Sequence, residues 1–224
     1  DFNARIVPIL SSIVTSISLY YLVKTLYDTK TAQASVIIFL FIPWNILWFS
    51  RIMPDTLTTA LVTTSLCLYV MAQKNNSTML YCGIISGLAI FSKQPALVIL
   101  PIIILWTYLN HFKPKLSFIP FFIIGLIPIS IWLFVNRDIF FYMAVTELTE
   151  RSVPFENIIR TVGTFILFTS PFIYYFIKQV RQETHKNIFI IWFILYGIYV
   201  LIRTPLSHEY YSLLLTVPLS AIAA

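Results

Sequence analysis

The sequence predicts an all-α protein, a polytopic bundle of transmembrane helices. Three observations carry this expectation. Of the 224 residues, 58% are hydrophobic and only 11% are charged. The mean hydropathy is +0.85, more apolar surface than a soluble domain of this length can use, so the solvent is lipid. The apolar runs are about 17–20 residues long, the length of a membrane-crossing helix and about twice that of a barrel strand. Inside lipid each backbone group must be satisfied within its own segment, and runs of this length do so as helices.

The runs fall at 5–23, 32–50, 55–73, 76–92, 94–110, 116–135, 158–177 and 187–203, eight spans in all, with a truncated ninth at 210–224. The stretch from 76 to 110 is too long for one span at about 1.5 Å per residue. Ser92-Lys93-Gln94-Pro95 breaks it, because proline disfavours helix in the residue before it, and a tight helical hairpin is expected there. Most other connections are short. The exception, 136–157, carries five charged residues ahead of Glu156 and is expected to lie partly on the membrane surface. No internal repeat is visible, and residues 1–224 read as a single domain. The chain opens on Asp1 without Met and stops in mid-run at Ala224, with no signal peptide visible. The simplest expectation is a piece of a longer membrane protein, open at both ends.

Several chemistries find no support. Cys67 and Cys82 both sit inside apolar runs, where packing is their expected role; a disulfide between them is unsupported. There is no zinc-type Cys/His spacing, no phosphate-cradling glycine loop and no nucleophile elbow, and five glycines leave little for such loops. No nucleic-acid partner is expected.

The charges sort by side. One set of connections carries eight Lys or Arg against two acids, net +6; the other carries seven against seven, net zero. The first set is assigned to the cytoplasm. The type of cation is more telling than the count. The first side has seven lysines and one arginine, and the second six arginines and one lysine. Lysine suits a solvated face beside anionic headgroups. Arginine grips phosphate or carboxylate with a planar fork. An outer face with balanced Arg and carboxylates therefore reads either as a site for an anionic ligand or as a set of loop-tying salt bridges.

Candidate residues follow from that face. Arg51 and Asp55 are four apart, with Pro54 between them at the expected start of a helix. Proline suits the first turn and a carboxylate is favoured at the positive helix end, so the plain reading is a first-turn acid paired with Arg51. The functional reading is a carboxylate that binds a hydroxylated acceptor, a sugar or a metal. Lys93 is the lone outer-face lysine, suited to a phosphate oxygen or to snorkelling at a helix end. His208-Glu209-Tyr210-Tyr211 follows Arg203 and gathers an imidazole, a carboxylate and two phenols before the last run. His208 and Glu209 are candidate general acid or base groups, and the tyrosines are equally interfacial anchors. Trp44, Trp48 and Trp132 fit an aromatic belt or a sugar-stacking rim. The acidic loop with Glu147, Glu150 and Glu156 reads as a cover for a site or as a solvated surface. An outer carboxylate can bind a divalent cation, though no ligand set is visible.

Together these residues resemble a known family. Ala4-Arg5-Ile6-Val7-Pro8 leads into a first span, Arg51-Ile52-Met53-Pro54-Asp55-Thr56-Leu57 opens a later one, and Gly83-Ile84-Ile85-Ser86-Gly87-Leu88-Ala89-Ile90-Phe91-Ser92-Lys93 follows. Their order and spacing are similar to the protein-mannosyltransferase and aminoarabinose-transferase superfamily of membrane glycosyltransferases, the GT-C fold. His208-Glu209-Tyr210-Tyr211 with Pro218 is similar to the pattern before the last helix of many members. The resemblance covers most of 1–110 and then 203–224.

It implies an enzyme of the plasma membrane with its site on the extracytoplasmic side. Such an enzyme moves sugar from a polyprenyl-phosphate donor to a protein, lipid or glycan acceptor. By the resemblance, Asp55 corresponds to the second acidic position of the site and Lys93 to a basic residue near the donor phosphate. Arg5, Arg51 and Arg203 join Lys93 as phosphate-binding candidates, with Tyr210 and Tyr211 against the sugar or acceptor. The family's main catalytic carboxylate is expected upstream of Asp1. The alternative is a polytopic flippase or transporter for a lipid or lipid-linked sugar. Ion coupling is disfavoured, since every charged residue falls at an expected span end.

Overall fold

The computed structural model describes residues 2–73, 77–112, 118–139, 187–203 and 213–224, together with 159, 162–163, 165–167, 169–170 and 174. Among the described residues every regular element is helical, so the all-α expectation holds. The helices are α1 (Phe2–Leu26), α2 (Thr29–Phe41), α3 (Pro43–Phe49), α4 (Pro54–Ala72), α5 (Thr78–Ser92), a 3-10 turn (Gln94–Val98), α6 (Ile99–Leu109), α7 (Phe118–Val135), α8 (Ile188–Arg203) and α9 (Leu213–Ala223). They fall on eight of the nine expected runs; 158–177 lies largely outside the described residues. Among the described residues, length and apolarity qualify α1, α4 and α7 to cross a membrane, and a fourth span if α2 and α3 count as one; the other apolar helices there are 10–17 residues long.

Local chemistry sets the breaks. Asp28 caps α2, its carboxylate accepting the N–H of Lys30 at 2.7 Å and of Thr31 at 3.0 Å. The second apolar run is not one helix. Ile42 is extended, Pro43 starts α3, and the axis turns by 62°. Proline has no N–H to continue the ladder and pushes its predecessor out of the helical region. Asn45 Nδ2 then donates to the Phe39 carbonyl at 2.5 Å, satisfying a group that the break exposes.

The bend corrects one expectation. Trp44 and Trp48 do not sit on an outer rim: they are 0% and 5% exposed. Their rings meet edge to face at 5.7 Å, and Trp44 meets Phe165 at 6.0 Å. Turning α3 across the bundle carries both indoles into the core. Trp132, on α7, is exposed.

α4 is the hub. It packs against α1 on one flank and α5 on the other, and hydroxyls tie both seams. Ser18 and Thr64 share a 2.8 Å hydrogen bond between α1 and α4. Between α4 and α5, Ser65 bonds to Ser86, and Thr58 to Ser92 at 2.9 Å. Such bonds bind helices together where water is absent. α9 is buried along Leu213–Ile222, against α2, α8 and α4, the place for a helix apolar on every side.

α5 and α7 cross at glycines. A Cβ on Gly83 would sit 2.7 Å from Cβ of Phe121 and 2.8 Å from the Phe122 nitrogen. A Cβ on Gly87 would strike the main chain of Gly125. Small residues four apart let two backbones touch, the usual device for close helix crossings in lipid.

The break at Lys93 is present, but a tight α5–α6 hairpin is not. α5 packs chiefly on α4 and α7, whereas α6 packs on α8 and on α4. There Tyr69 and Thr107 share a 2.6 Å hydrogen bond. The extended Lys93 (φ −167°, ψ 142°) and the 3-10 turn after it redirect the chain.

Candidate functional site

The centre of the candidate site is an ion pair. Pro54 opens α4 and places Asp55 in its first turn; α5 ends at Ser92, and Lys93 follows it. Lys93 Nζ donates to both carboxylate oxygens of Asp55, each at 2.8 Å. The two side chains are only 16% and 8% exposed. Each charge complements its helix end, the carboxylate at the positive start of α4 and the ammonium at the negative end of α5. An ion pair this buried costs much to desolvate, and the two-oxygen geometry is what offsets that cost.

The surroundings are hydroxyl-rich. The Thr58–Ser92 bond joins the same two helices beside the pair, and Thr59 Oγ1 donates to the Asp55 carbonyl at 2.8 Å. Thr58 and Ser92 are not among the residues expected from sequence. The signal is available there: Thr58 is three residues after Asp55, on the same helical face, and Ser92 adjoins Lys93.

The plain reading of the Arg51–Asp55 spacing does not hold. Among the described residues Asp55 has one ion-pair partner, Lys93. Residues 51–53 lie before the helix, so the four-residue rule for helical neighbours does not apply. Arg51 is exposed, with its guanidinium carbon 4.6 Å from the centre of the Trp48 ring, a stacked cation over an aromatic face.

The other candidates separate. Arg5 is exposed near the start of α1. Arg203 closes α8, and its side chain is not described. His208, Glu209, Tyr210 and Tyr211 lie outside the described residues, as do Glu147, Glu150 and Glu156. Among the described residues no three His, Cys, Asp or Glu side chains form a metal-holding group. Cys67 and Cys82 are free thiols, both buried, and form no disulfide.

The sequence pattern of the dolichyl-phosphate-mannose-protein mannosyltransferase family matches residues 1–134. The chain belongs to this family. Full-length members of the mannosyltransferase family are membrane glycosyltransferases that use polyprenyl-phosphate-linked sugar donors, and this chain has their multi-pass helical character. The matched region contains Arg5, Arg51, Asp55 and Lys93; Arg203 and residues 208–211 lie beyond it. No curated protein and no solved structure matches the chain.

Proposed function

We propose that this protein transfers a sugar from a polyprenyl-phosphate donor to a hydroxyl on a protein, lipid or glycan, at the extracytoplasmic face of the plasma membrane. The observation that carries the reading is the pairing of Asp55 with Lys93 at the joined ends of α4 and α5, inside the region that matches the family. The acceptor oxygen attacks the anomeric carbon, the bond from that carbon to the phosphate oxygen breaks, and its electron pair leaves with the polyprenyl phosphate. Charge that gathers on the phosphate is stabilised by cations fixed in a low-dielectric site. Lys93 is held for that role, with Arg51, Arg5 and Arg203 as further candidates. The proton of the acceptor hydroxyl goes to a carboxylate or imidazole, for which Asp55, Glu209 and His208 are the candidates. Tyr210 and Tyr211 are proposed against the sugar. A divalent cation bound at an outer carboxylate is compatible with this chemistry.

The test is sugar transfer by the full-length protein in detergent, from a polyprenyl-phosphate-linked sugar. Lys93→Gln is expected to lower transfer by about 100-fold or more, the usual cost of removing a group that stabilises developing charge. The exchanged variant, Asp55→Lys with Lys93→Asp, separates chemistry from architecture: it recovers part of the melting temperature lost in either single variant, the reversed charges now opposing both helix ends, but not transfer. Transfer at the wild-type rate by the exchanged protein, or by Asp55→Asn, overturns the assignment. Movement of the donor across the bilayer of reconstituted vesicles, with no transfer in detergent, overturns the function.

A further inference from the structure

A polar-edged groove lies between α1 and α2, remote from the ion pair. It encloses about 710 Å³ and is lined by Tyr20, Tyr21 and Gln33 and by Ile17, Val36 and Ile37. Ser18, beside it on α1, bonds to Thr64, nine residues along α4 from Asp55 and so roughly 14 Å from it at 1.5 Å per residue.

The lining is graded. Tyr20, Tyr21 and Gln33 sit five or six residues from the end of α1 or four from the start of α2, about 6–9 Å from the Tyr27-Asp28 connection. Ile17, Val36 and Ile37 lie deeper, at about 10–14 Å. Ser16 also lines the deep part, but its hydroxyl donates to the Ser12 carbonyl. Lys24 is the cation at the shallow end, its Nζ 5.5 Å from the centre of the Tyr20 ring. No hydrogen bond or ion pair with another described residue engages the side chains of Tyr20, Tyr21, Lys24 or Gln33. The nearby acid, Asp28, is already occupied by the N–H groups of Lys30 and Thr31 and the Thr31 hydroxyl.

We propose that this groove binds one anionic phospholipid from the lysine-rich side of the membrane. The phosphate sits by Lys24, accepting from Lys24, Gln33 and the tyrosine hydroxyls, and one acyl chain runs down over Ile17, Val36 and Ile37. The order of headgroup and chain matches the order of polar and apolar lining with depth, and the positive charge stands where the phosphate belongs.

Native mass spectrometry of the full-length protein, in micelles mixed with phosphatidylglycerol and phosphatidylcholine, tests this. The wild type is expected to retain one phosphatidylglycerol with about fivefold preference, the worth of one lysine near an anionic headgroup. Lys24→Gln erases the preference, Ile37→Trp fills the groove and lowers retention of both lipids, and Lys113→Gln, a lysine of the same side in the connection between α6 and α7, changes neither. Ile37 is 57% exposed, so the bulkier side chain is compatible with folding. The proposal fails if the wild type shows no preference, if Lys24→Gln keeps it, or if Lys113→Gln removes it equally, which marks a diffuse charge effect.

Discussion

Gly87 lies against Gly125 with no side chain between them, backbone of α5 on backbone of α7. A methyl group on either must push the helices apart, because the atoms it meets are main chain. Gly87→Ala is therefore expected to destabilise the protein by about 1–3 kcal/mol, as overpacking does, and Gly87→Leu by more. Gly197 is the control, since a methyl group added there would meet nothing within 4 Å. Gly197→Ala in α8 should stabilise by up to about 1 kcal/mol through helix propensity alone. Thermal unfolding in detergent reads both, and equal effects at Gly87 and Gly197 would falsify the close-contact reading.

The Asp55–Lys93 pair makes a second prediction, about stability. Lys93→Met leaves a buried carboxylate uncompensated and is expected to cost about 3 kcal/mol or more. Asp55→Asn combined with Lys93→Met removes both charges and should recover much of that loss. Chemical unfolding of the single and double variants checks it; simply additive losses would show that the two groups are not coupled.

Cys67 and Cys82 are 5% and 0% exposed and unlinked. A water-soluble maleimide should label neither in the folded protein and both after denaturation. Labelling of either in the native state contradicts the packing of α4 on α5.

Asp28 supplies a pH test outside the spans. The N–H of Thr31, then its hydroxyl, hold this carboxyl below its ordinary value of 3.8. A folded value below the unfolded one means that the cap stabilises α2 above the unfolded value. That contribution is lost as the pH falls through the depressed folded value. Carboxyl-carbon NMR of labelled aspartate should show Asp28 titrating below 3.8, and Asp28 in a Thr31→Val variant titrating higher. Titration of wild-type Asp28 at or above 3.8 contradicts the cap.

The helical class and most break points are legible in the sequence because they depend on local properties: run length, Pro54, and the Ser92-Lys93-Gln94-Pro95 turn. Pro43 is equally visible, yet the apolar run continues through it, so hydropathy reads one straight span where the chain has a 62° bend and turns Trp44 and Trp48 inward. Asp55 and Lys93 each stand out in the sequence, but not as partners, because 38 residues separate them and no periodicity links them. The nearer cation, Arg51, suggests itself instead, although it precedes the helix. Gly83 and Gly87 likewise stand in the sequence only as part of a family-like run; the close crossing they make depends on Gly125 and on which helix docks there. The roles proposed for Arg203 and for residues 208–211 rest on the sequence resemblance alone.

The docking of α7 bears on how the chain is built in the membrane. Of the long helices α7 is the most apolar and the least covered, with only Phe118 and Gly125 buried, while α4 is the least apolar and the most covered. A segment like α7 partitions into the bilayer unaided and joins its neighbours afterwards; one rich in threonine, like α4, depends on companions to shelter its hydroxyls. Biosynthesis should thus commit α7 early and settle α4 late, reversing their order along the chain, and an insertion reporter fused to each isolated helix should rank α7 well above α4.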